Sequence, residues 1–408
     1  YIVDIEEEDT YAELLQRTVR AALELRKRNL SKNDVVILCT YNHKNSSVPF
    51  LACTFLGIPV ASLDPSLSLM DTTHLIREVK PKILFIVPEA LNLIEASLEE
   101  TGVEAEIIIF GKSDKYTEFT DFLQPNDAEK DFIPEPAMNI QETAVIFFSS
   151  GSTGMPKGIM ASQCGIICQG TIFIESGNVG TVLLSYASLY WISSVISTTG
   201  IIFAGAAKVI CKRFDAKQLW HLFEKYKITS FISAPDQIVD MIRVGRPDGI
   251  DTTSLTVCII GGAALPERLM RVLRDFLPGT FVFMAYGQTE VTGVITSFSI
   301  KEVKHTLSLH YKPESIGILV VGFSCKVVDP ETEKLCGPNE NGELRVKSRV
   351  IMNGYYGRDS SETFDAEGWL KTGDMVYYDK DHCFFIVDRI KEMLKYKSWH
   401  VAPAMLEK

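Results

Sequence analysis

The sequence lacks the cysteine and histidine spacings that mark disulfide frameworks and metal sites. Its nine cysteines are scattered singly, the closest two are Cys164 and Cys168, and no CxxC pair occurs. We therefore expect free thiols and a reducing, intracellular compartment. None of the seven histidines has an HExxH or similar spacing, and His382 beside Cys383 is better explained by chance than by a zinc site. No structural metal is expected.

An excess of positive charge is also missing. The 408 residues include 41 Lys and Arg against 52 Asp and Glu, which gives a net charge of −11. This balance argues against nucleic acid as a partner, so an anionic ligand must be bound by local donors. With 46% hydrophobic and 23% charged residues, the composition is that of a globular protein of two or three domains.

No stretch is convincing as a membrane anchor. The segment 176–207 has no charged residue and is longer than a spanning helix needs to be. Nine Ser or Thr residues and Gly200 interrupt it, so we predict a buried strand followed by a buried helix and no transmembrane segment. At Tyr1 the sequence shows neither a signal peptide nor an initiating Met, and we expect a shortened start.

Strand and helix patterns alternate along most of the chain. Thr10 and Glu13 form a capping-box pattern that opens a helix to about Lys27, and apolar runs such as 35–39 and 60–63 are typical of buried strands. From Ser315 onward short strands with Gly and Pro turns replace the helical period. We predict an α/β fold with two doubly wound subdomains, 1–142 and 143–314, and a small β-barrel-like subdomain at 315–387.

The central motif is SSGSTGMPKG, which spans residues 149–158 and follows the apolar run 144–148. A buried strand that ends in glycine and hydroxyl residues places backbone N–H groups and hydroxyl donors at the carboxyl edge of a sheet, where α/β folds bind ligands. Lys157 adds a positive charge. The donors expected to bind a polyphosphate are Ser149, Ser150, Gly151, Ser152, Thr153, Gly154 and Lys157.

The motif is not a Walker A loop, because Pro156 precedes the lysine and Gly158 follows it. A flexible, solvated turn is the alternative for a bare serine and glycine cluster. The strand before the cluster and the Pro-Lys-Gly after it favour the phosphate site.

SSGSTGMPKG resembles the phosphate-binding signature of the adenylate-forming superfamily, which includes acyl-CoA synthetases, 4-coumarate-CoA ligases and beetle luciferases. Two later segments extend the resemblance. One is Gly261, Gly262 and Ala263, which is similar to the adenine-binding segment; from local sequence a plain strand-to-helix turn is the alternative. The other is Tyr286, Gly287, Gln288, Thr289 and Glu290, which implies stacking of Tyr286 on adenine, contact of Thr289 with phosphate and support of Mg²⁺ by Glu290. A turn with a solvated Glu is its alternative.

Two further segments complete the match. Residues 368–374, GWLKTGD, are similar to a segment whose aspartate, here Asp374, binds ribose, whereas an exposed turn is the alternative. Asp388 and Arg389 resemble the family's hinge, where Arg389 approaches the ribose and Lys395 matches a lysine used in thioester formation. A charged amphipathic helix over 390–396 would explain the same residues. The family's adenylation lysine lies in a C-terminal domain of which we expect only a hinge and stub, at 388–408.

Three departures qualify the resemblance. Tyr190 and Trp191 stand where many relatives have an aromatic residue and a histidine. Ser398 and His400 replace the Gly and Gln that relatives carry in the hinge. No residue can be assigned as the adenylation lysine.

The resemblance implies an acyl-CoA synthetase that uses ATP, Mg²⁺ and CoA to activate a carboxylic acid, for which fatty acids are our expectation. A peroxisomal or cytosolic location rests on the resemblance alone, and the oligomeric state stays open. The alternatives are a non-catalytic protein that binds nucleotide or acyl ligands, and a luciferase-type oxygenase.

Overall fold

The computed structural model describes residues 1–149, 155–390, 394–396 and 399–401. Helix α1, Tyr11–Lys27, begins at the predicted capping box. The Thr10 hydroxyl accepts from the Glu13 N–H at 3.2 Å, and the Glu13 carboxylate accepts from the Thr10 N–H at 2.8 Å. The helix buries Ala21, Ala22 and Leu25.

The first layer is a seven-stranded sheet with helices on its faces. Its strands in chain order are β1 Val36–Cys39, β2 Val60–Leu63, β3 Ile83–Ile86, β4 Glu106–Ile109, β5 Thr117–Glu118, β6 Thr143–Ser149 and β7 Lys157–Ser162. Its helices besides α1 are α2 Val48–Leu56, α3 Leu69–Val79 and α4 Leu91–Thr101. The spatial order is β5-β4-β3-β1-β2-β6-β7, parallel except for β7. All four residues of β1 are buried, as expected for an apolar run inside a parallel sheet.

Strands β6 and β7 correct the boundary predicted between residues 142 and 143. The predicted second subdomain, 143–314, includes this stretch, whereas β6 pairs in parallel with β2 through Val60 with Val145 and Ala61 with Ile146. Strand β7 then returns antiparallel along β6. An apolar run does not reveal which sheet it joins, because that choice is made by long-range pairing. The division into domains otherwise stays a prediction.

The second layer is a parallel five-stranded sheet. Its strands are β8 Val182–Ser185, β9 Ala207–Val209, β10 Ser230–Ser233, β11 Val257–Ile260 and β12 Phe281–Met284, in the order β12-β11-β10-β8-β9. Its helices are α5 Gln163–Glu175, α6 Ile192–Ala204, α7 Ala216–Lys225, α8 Pro235–Val244 and α9 Glu267–Phe276. The uncharged segment 176–207 is thus a strand followed by a helix, as predicted. Among the described residues, no helix is both long and apolar enough to cross a membrane.

Antiparallel sheets follow the two layers. They contain β13 Tyr286–Gln288, β14 Gly293–Ser297, β15 Ile318–Leu319, β16 Phe323–Val328, β17 Gly342–Ser348, β18 Leu370–Tyr378 and β19 Phe384–Arg389, with helix α10 Val303–Tyr311 after β14. Strands β16 to β19 form one sheet in chain order, and a bridge between Gly317 and Phe384 ties it to the sheet of β13 to β15.

One local expectation in this part is wrong. The sequence favours a helix or hinge over 390–396, but Leu394–Tyr396 is strand β20, paired antiparallel with β21, Trp399–Val401. Pairing with a neighbouring strand overrides the local sequence preference there. The alternative of an exposed turn at Asp374 does not hold either, since Asp374 lies in strand β18.

Removing the hydroxyl of Thr10 should destabilise the protein. We expect Thr10→Ala to lower the free energy of unfolding by about 1 kcal/mol, because it removes the acceptor that caps α1. Urea denaturation followed by circular dichroism measures the change. Thr10→Ser keeps the acceptor and serves as the control; an equal loss in both variants would show that the cap is not responsible.

Candidate functional site

The segments that resemble a nucleotide site follow the carboxyl ends of β6, β11 and β12. Ser149 is the last residue of β6 and pairs with Lys157, the first residue of β7. Ser150 to Gly154 lie outside the described residues. The structure therefore fixes both flanks of the predicted phosphate turn and leaves its central donors as a prediction.

Lys157 and Glu290 contact the same side chain. The Lys157 ammonium lies 5.2 Å from the ring centroid of Tyr355, within the range of a cation–π contact. The Tyr355 hydroxyl donates to Oε1 of Glu290 at 3.3 Å. Lys157 and Glu290, which come from separate motifs, therefore both contact Tyr355, a residue that was not predicted from the sequence.

The backbone around Glu290 is tied to helix α5 and to the segment after β17. Glu290 lies in the 3-10 helix Thr289–Val291, and its carbonyl accepts from the Met352 N–H at 2.8 Å. The buried amide of Gln169 on α5 donates to the carbonyls of Val291, at 3.2 Å, and Val294, at 3.1 Å. Burial raises the pKa of the Glu290 carboxyl above its usual value. Thr289 is held in the same short helix.

The ribose aspartate of the prediction is a buried hydrogen-bond acceptor. Asp374 is only 5% exposed. Its Oδ2 accepts from the Tyr286 hydroxyl at 2.7 Å and from the Gln288 amide at 2.6 Å. The other oxygen, Oδ1, lies 3.6 Å from Nε of Arg389, the residue with which Asp374 pairs across β18 and β19. Four residues predicted from three motifs form one cluster.

Burial also affects the tyrosine of this cluster. The pKa of Tyr286 is raised well above its usual value, first by burial and then by the charge of Asp374. Its hydroxyl therefore keeps its proton and stays a donor to the carboxylate.

The glycine segment lies beside this cluster. The Gly261 N–H donates to the Ser233 carbonyl at 3.1 Å, and Ala285, which precedes Tyr286, donates to the Ile260 carbonyl at 2.9 Å. Gly262 has φ +100° and no heavy atom near the position that a Cβ would take, and Ala263 is exposed. This segment is an open backbone surface next to the tyrosine predicted to stack on adenine.

Gly287 permits a close approach of two strands. A Cβ on Gly287 would lie 2.0 Å from the carbonyl oxygen of Gly293, because the register of β13 and β14 shifts between Tyr286 and Gly287. Only glycine fits there without backbone movement.

Helix α3 holds the far flank of the phosphate turn, and the residues involved were also missed. Glu78 accepts from the Gly158 N–H at 3.0 Å and from Arg358 Nη2 at 2.6 Å. His74 donates from Nε2 to the Pro156 carbonyl at 2.9 Å. These contacts fix the backbone on both sides of Lys157.

The departures from the family pattern have different outcomes. Trp191 is 57% exposed at the start of α6 and packs edge-on against Tyr190, with the ring centroids 5.2 Å apart. The backbones of Lys395 and His400 pair with each other in β20 and β21. Their side chains and Ser398 lie outside the described part of the structure.

The sequence matches known proteins over nearly its whole length. A family model described as AMP-binding enzyme matches residues 1–356. Luciferin 4-monooxygenase of Photinus pyralis is 30% identical over 419 aligned residues, which cover 99% of this chain and 74% of the relative. The 4-coumarate-CoA ligase-like protein 9 of Arabidopsis thaliana is 29% identical, over 98% of this chain and 70% of the relative.

A solved structure extends the match to three dimensions. The luciferase-like enzyme from the nonluminescent mealworm Zophobas morio superposes with a TM-score of 0.90 at 36% identity, covering 96% of this chain and 91% of that one. The fold and these matches define the class as the adenylate-forming enzymes, which confirms the resemblance. Within that class, the chain belongs to the AMP-binding enzyme family.

The crowding at Gly287 gives a stability prediction. We expect Gly287→Ala to lower the free energy of unfolding by about 2 kcal/mol, because the added methyl group overlaps backbone atoms. Gly261→Ala is the matched control, since the nearest atom to its Cβ is 3.7 Å away, and it should change stability by less than about 1 kcal/mol. Urea denaturation compares the two variants. Equal losses of stability in the two variants would show that crowding at Gly287 is not the cause.

Proposed function

We propose that this protein activates a carboxylic acid with ATP to an acyl-adenylate and pyrophosphate, and then transfers the acyl group to CoA. The observation that carries the proposal is the convergence of separate motifs. Lys157 and Glu290 meet at Tyr355, while Tyr286, Gln288 and Arg389 surround Asp374. In one extended nucleotide, the phosphates would lie beside Lys157 and Glu290, and the ribose would lie beside Asp374.

At the ribose end, Asp374 would act as the acceptor. Its Oδ2 already accepts two hydrogen bonds, whereas the one side chain near Oδ1 among the residues that the structure describes is Arg389, at 3.6 Å. We propose that Oδ1 accepts a ribose hydroxyl, with Arg389 alongside. The open backbone of Gly261, Gly262 and Ala263 would lie against the adenine, whose face Tyr286 would contact.

At the phosphate end, the chemistry needs positive charge. Attack of a carboxylate on the α-phosphorus increases the negative charge on the phosphate oxygens, and the pyrophosphate must leave. Lys157 would stabilise that charge together with the N–H groups and hydroxyls of residues 149–154. Strand pairing and the contact of Gly158 with Glu78 fix the backbone on both flanks of this turn, which supports a defined place for Lys157.

The residues present fit a magnesium ion at Glu290. Magnesium prefers hard oxygen ligands, and Glu290 offers a half-buried carboxylate whose only side-chain partner among the described residues is the Tyr355 hydroxyl. Bound there with ATP, Mg²⁺ would neutralise phosphate charge. Glu290 would supply an oxygen ligand, and Tyr355 would orient it.

The apolar sequence of α6 is the basis for expecting fatty acids as substrates. Val195, Ile196 and Ile201 of this helix, however, are buried in the core. Core packing explains those residues, so α6 does not separate fatty acids from aromatic acids. A substrate panel should therefore contain both classes, with CoA as the acyl acceptor.

Two alternatives are favoured by particular observations. The identity to luciferin 4-monooxygenase supports an oxygenase that emits light, whereas Trp191 departs from the pattern expected for luciferases. Trp191 and His400 support a non-catalytic binding protein. Luminescence with luciferin and oxygen tests the first alternative, and measurable ATP affinity without any adenylate product would identify the second.

Acid-dependent exchange of pyrophosphate into ATP tests the proposal. The exchange should rise above background with at least one acid of a panel of aliphatic and aromatic acids. Background exchange with every acid would contradict acid activation. Titration calorimetry with ATP, run in parallel, separates a protein that fails to bind nucleotide from one that binds it without reaction.

Replacing the motif lysine should weaken nucleotide binding. We expect Lys157→Met to lower the affinity for ATP at least about tenfold, because it removes a charge-assisted contact with phosphate. Calorimetry measures the change. Lys217→Met, on the exposed surface of α7, is the matched control and should bind ATP as the wild type does. Unchanged binding by Lys157→Met would exclude a phosphate role for this lysine.

A further inference from the structure

Tyr355 lies between two groups of opposite charge. The Lys157 ammonium contacts the face of its ring, and the Glu290 carboxylate accepts from its hydroxyl. Within the part of the chain that the structure describes, Lys157 and Glu290 form no ion pair with each other. Opposite charges attract, and Lys157 and Glu290 are each partly removed from solvent, so a side chain that contacts both affects how closely they approach.

The tyrosine is held by contacts on both of its sides. Its backbone forms an antiparallel bridge with Ile159 of β7, two residues after Lys157. The Tyr355 N–H donates to the Ser360 hydroxyl at 2.7 Å, and the preceding Gly354 accepts from the Met160 N–H at 3.0 Å. The ring is therefore anchored to the same strand that carries the lysine.

The Tyr355 hydroxyl is also kept as a donor. Burial, followed by the nearby charge of Glu290, raises the pKa of Tyr355 to about 12. At neutral pH it carries its proton and directs it toward Glu290. A phenylalanine at this position would keep the ring under Lys157 but leave Oε1 without this donor.

We infer that Tyr355 is a positioning residue that holds Lys157 and Glu290 apart and orients the carboxylate, so that the ammonium stays free for phosphate and the carboxylate for a divalent cation. This inference rests on the proposed function. The ring and the hydroxyl have separate tasks: the ring supports the lysine, and the hydroxyl orients the glutamate. Two substitutions at the same position can therefore separate them.

The test compares ATP affinity by calorimetry in Mg²⁺ and in EDTA. In Mg²⁺, Tyr355→Phe should bind ATP about tenfold more weakly than the wild type, because the charged Glu290 carboxylate loses the hydrogen bond that the Tyr355 hydroxyl donates. In EDTA its affinity should stay within about twofold of the wild type, because the ring remains under Lys157. Tyr355→Leu removes ring and hydroxyl and should weaken binding in both solutions.

A control and a double variant complete the design. Tyr356→Phe makes the same chemical change at the neighbouring position, where the side chain packs in an apolar cluster, and should bind ATP as the wild type does. Glu290→Gln should show the same magnesium-dependent loss as Tyr355→Phe. The double variant should lose no more than Glu290→Gln alone, because the hydroxyl acts through that carboxylate. Thermal melts monitored by circular dichroism confirm folding.

Three results would overturn the inference while ATP binding by the wild type stands. They are unchanged binding by Tyr355→Phe, an equal loss in Mg²⁺ and in EDTA, and additive losses in the double variant. A wild-type protein that binds no ATP in either solution would overturn the proposed function, and this inference with it.

Discussion

The antiparallel pairing of β6 with β7 is the constraint on which the site depends. Strand β6 is fixed to the first sheet by β2, and β7 returns along it so that Ser149 and Lys157 face each other. The same β7 then pairs with Tyr355 through Ile159. Because one edge strand joins a parallel sheet on one side and the segment 352–358 on the other, the lysine of one motif and the glutamate of another both contact Tyr355.

Much of the fold follows from local patterns in the sequence. Apolar runs located most strands of the two parallel sheets, and the capping box located α1. The motifs also identified Asp374, Tyr286 and Glu290, which the structure brings into two clusters. Ligands of open α/β sheets bind at the carboxyl ends of the strands, so glycine, hydroxyl and charged residues that follow strands are informative without coordinates.

The parts that escaped prediction are set by contacts between distant residues. Tyr355 is 65 residues from Glu290 in the sequence, Glu78 is 80 residues from Gly158, and Arg358 is 280 residues from Glu78. No spacing rule connects such positions. For the same reason the sheet that β6 joins and the strand at 394–396 were not predicted: each follows from a partner strand and not from the local sequence.

The Glu78 carboxylate, with Arg358 on one oxygen and Gly158 on the other, has a thermodynamic consequence. It couples Gly158 of β7 to Arg358 in the segment after β17, so a displacement of either residue changes the energy of the other. Such coupling is reciprocal. If a ligand bound beside Gly158 changes the affinity of residues 352–358 for a second ligand, the second ligand changes the affinity for the first by the same factor.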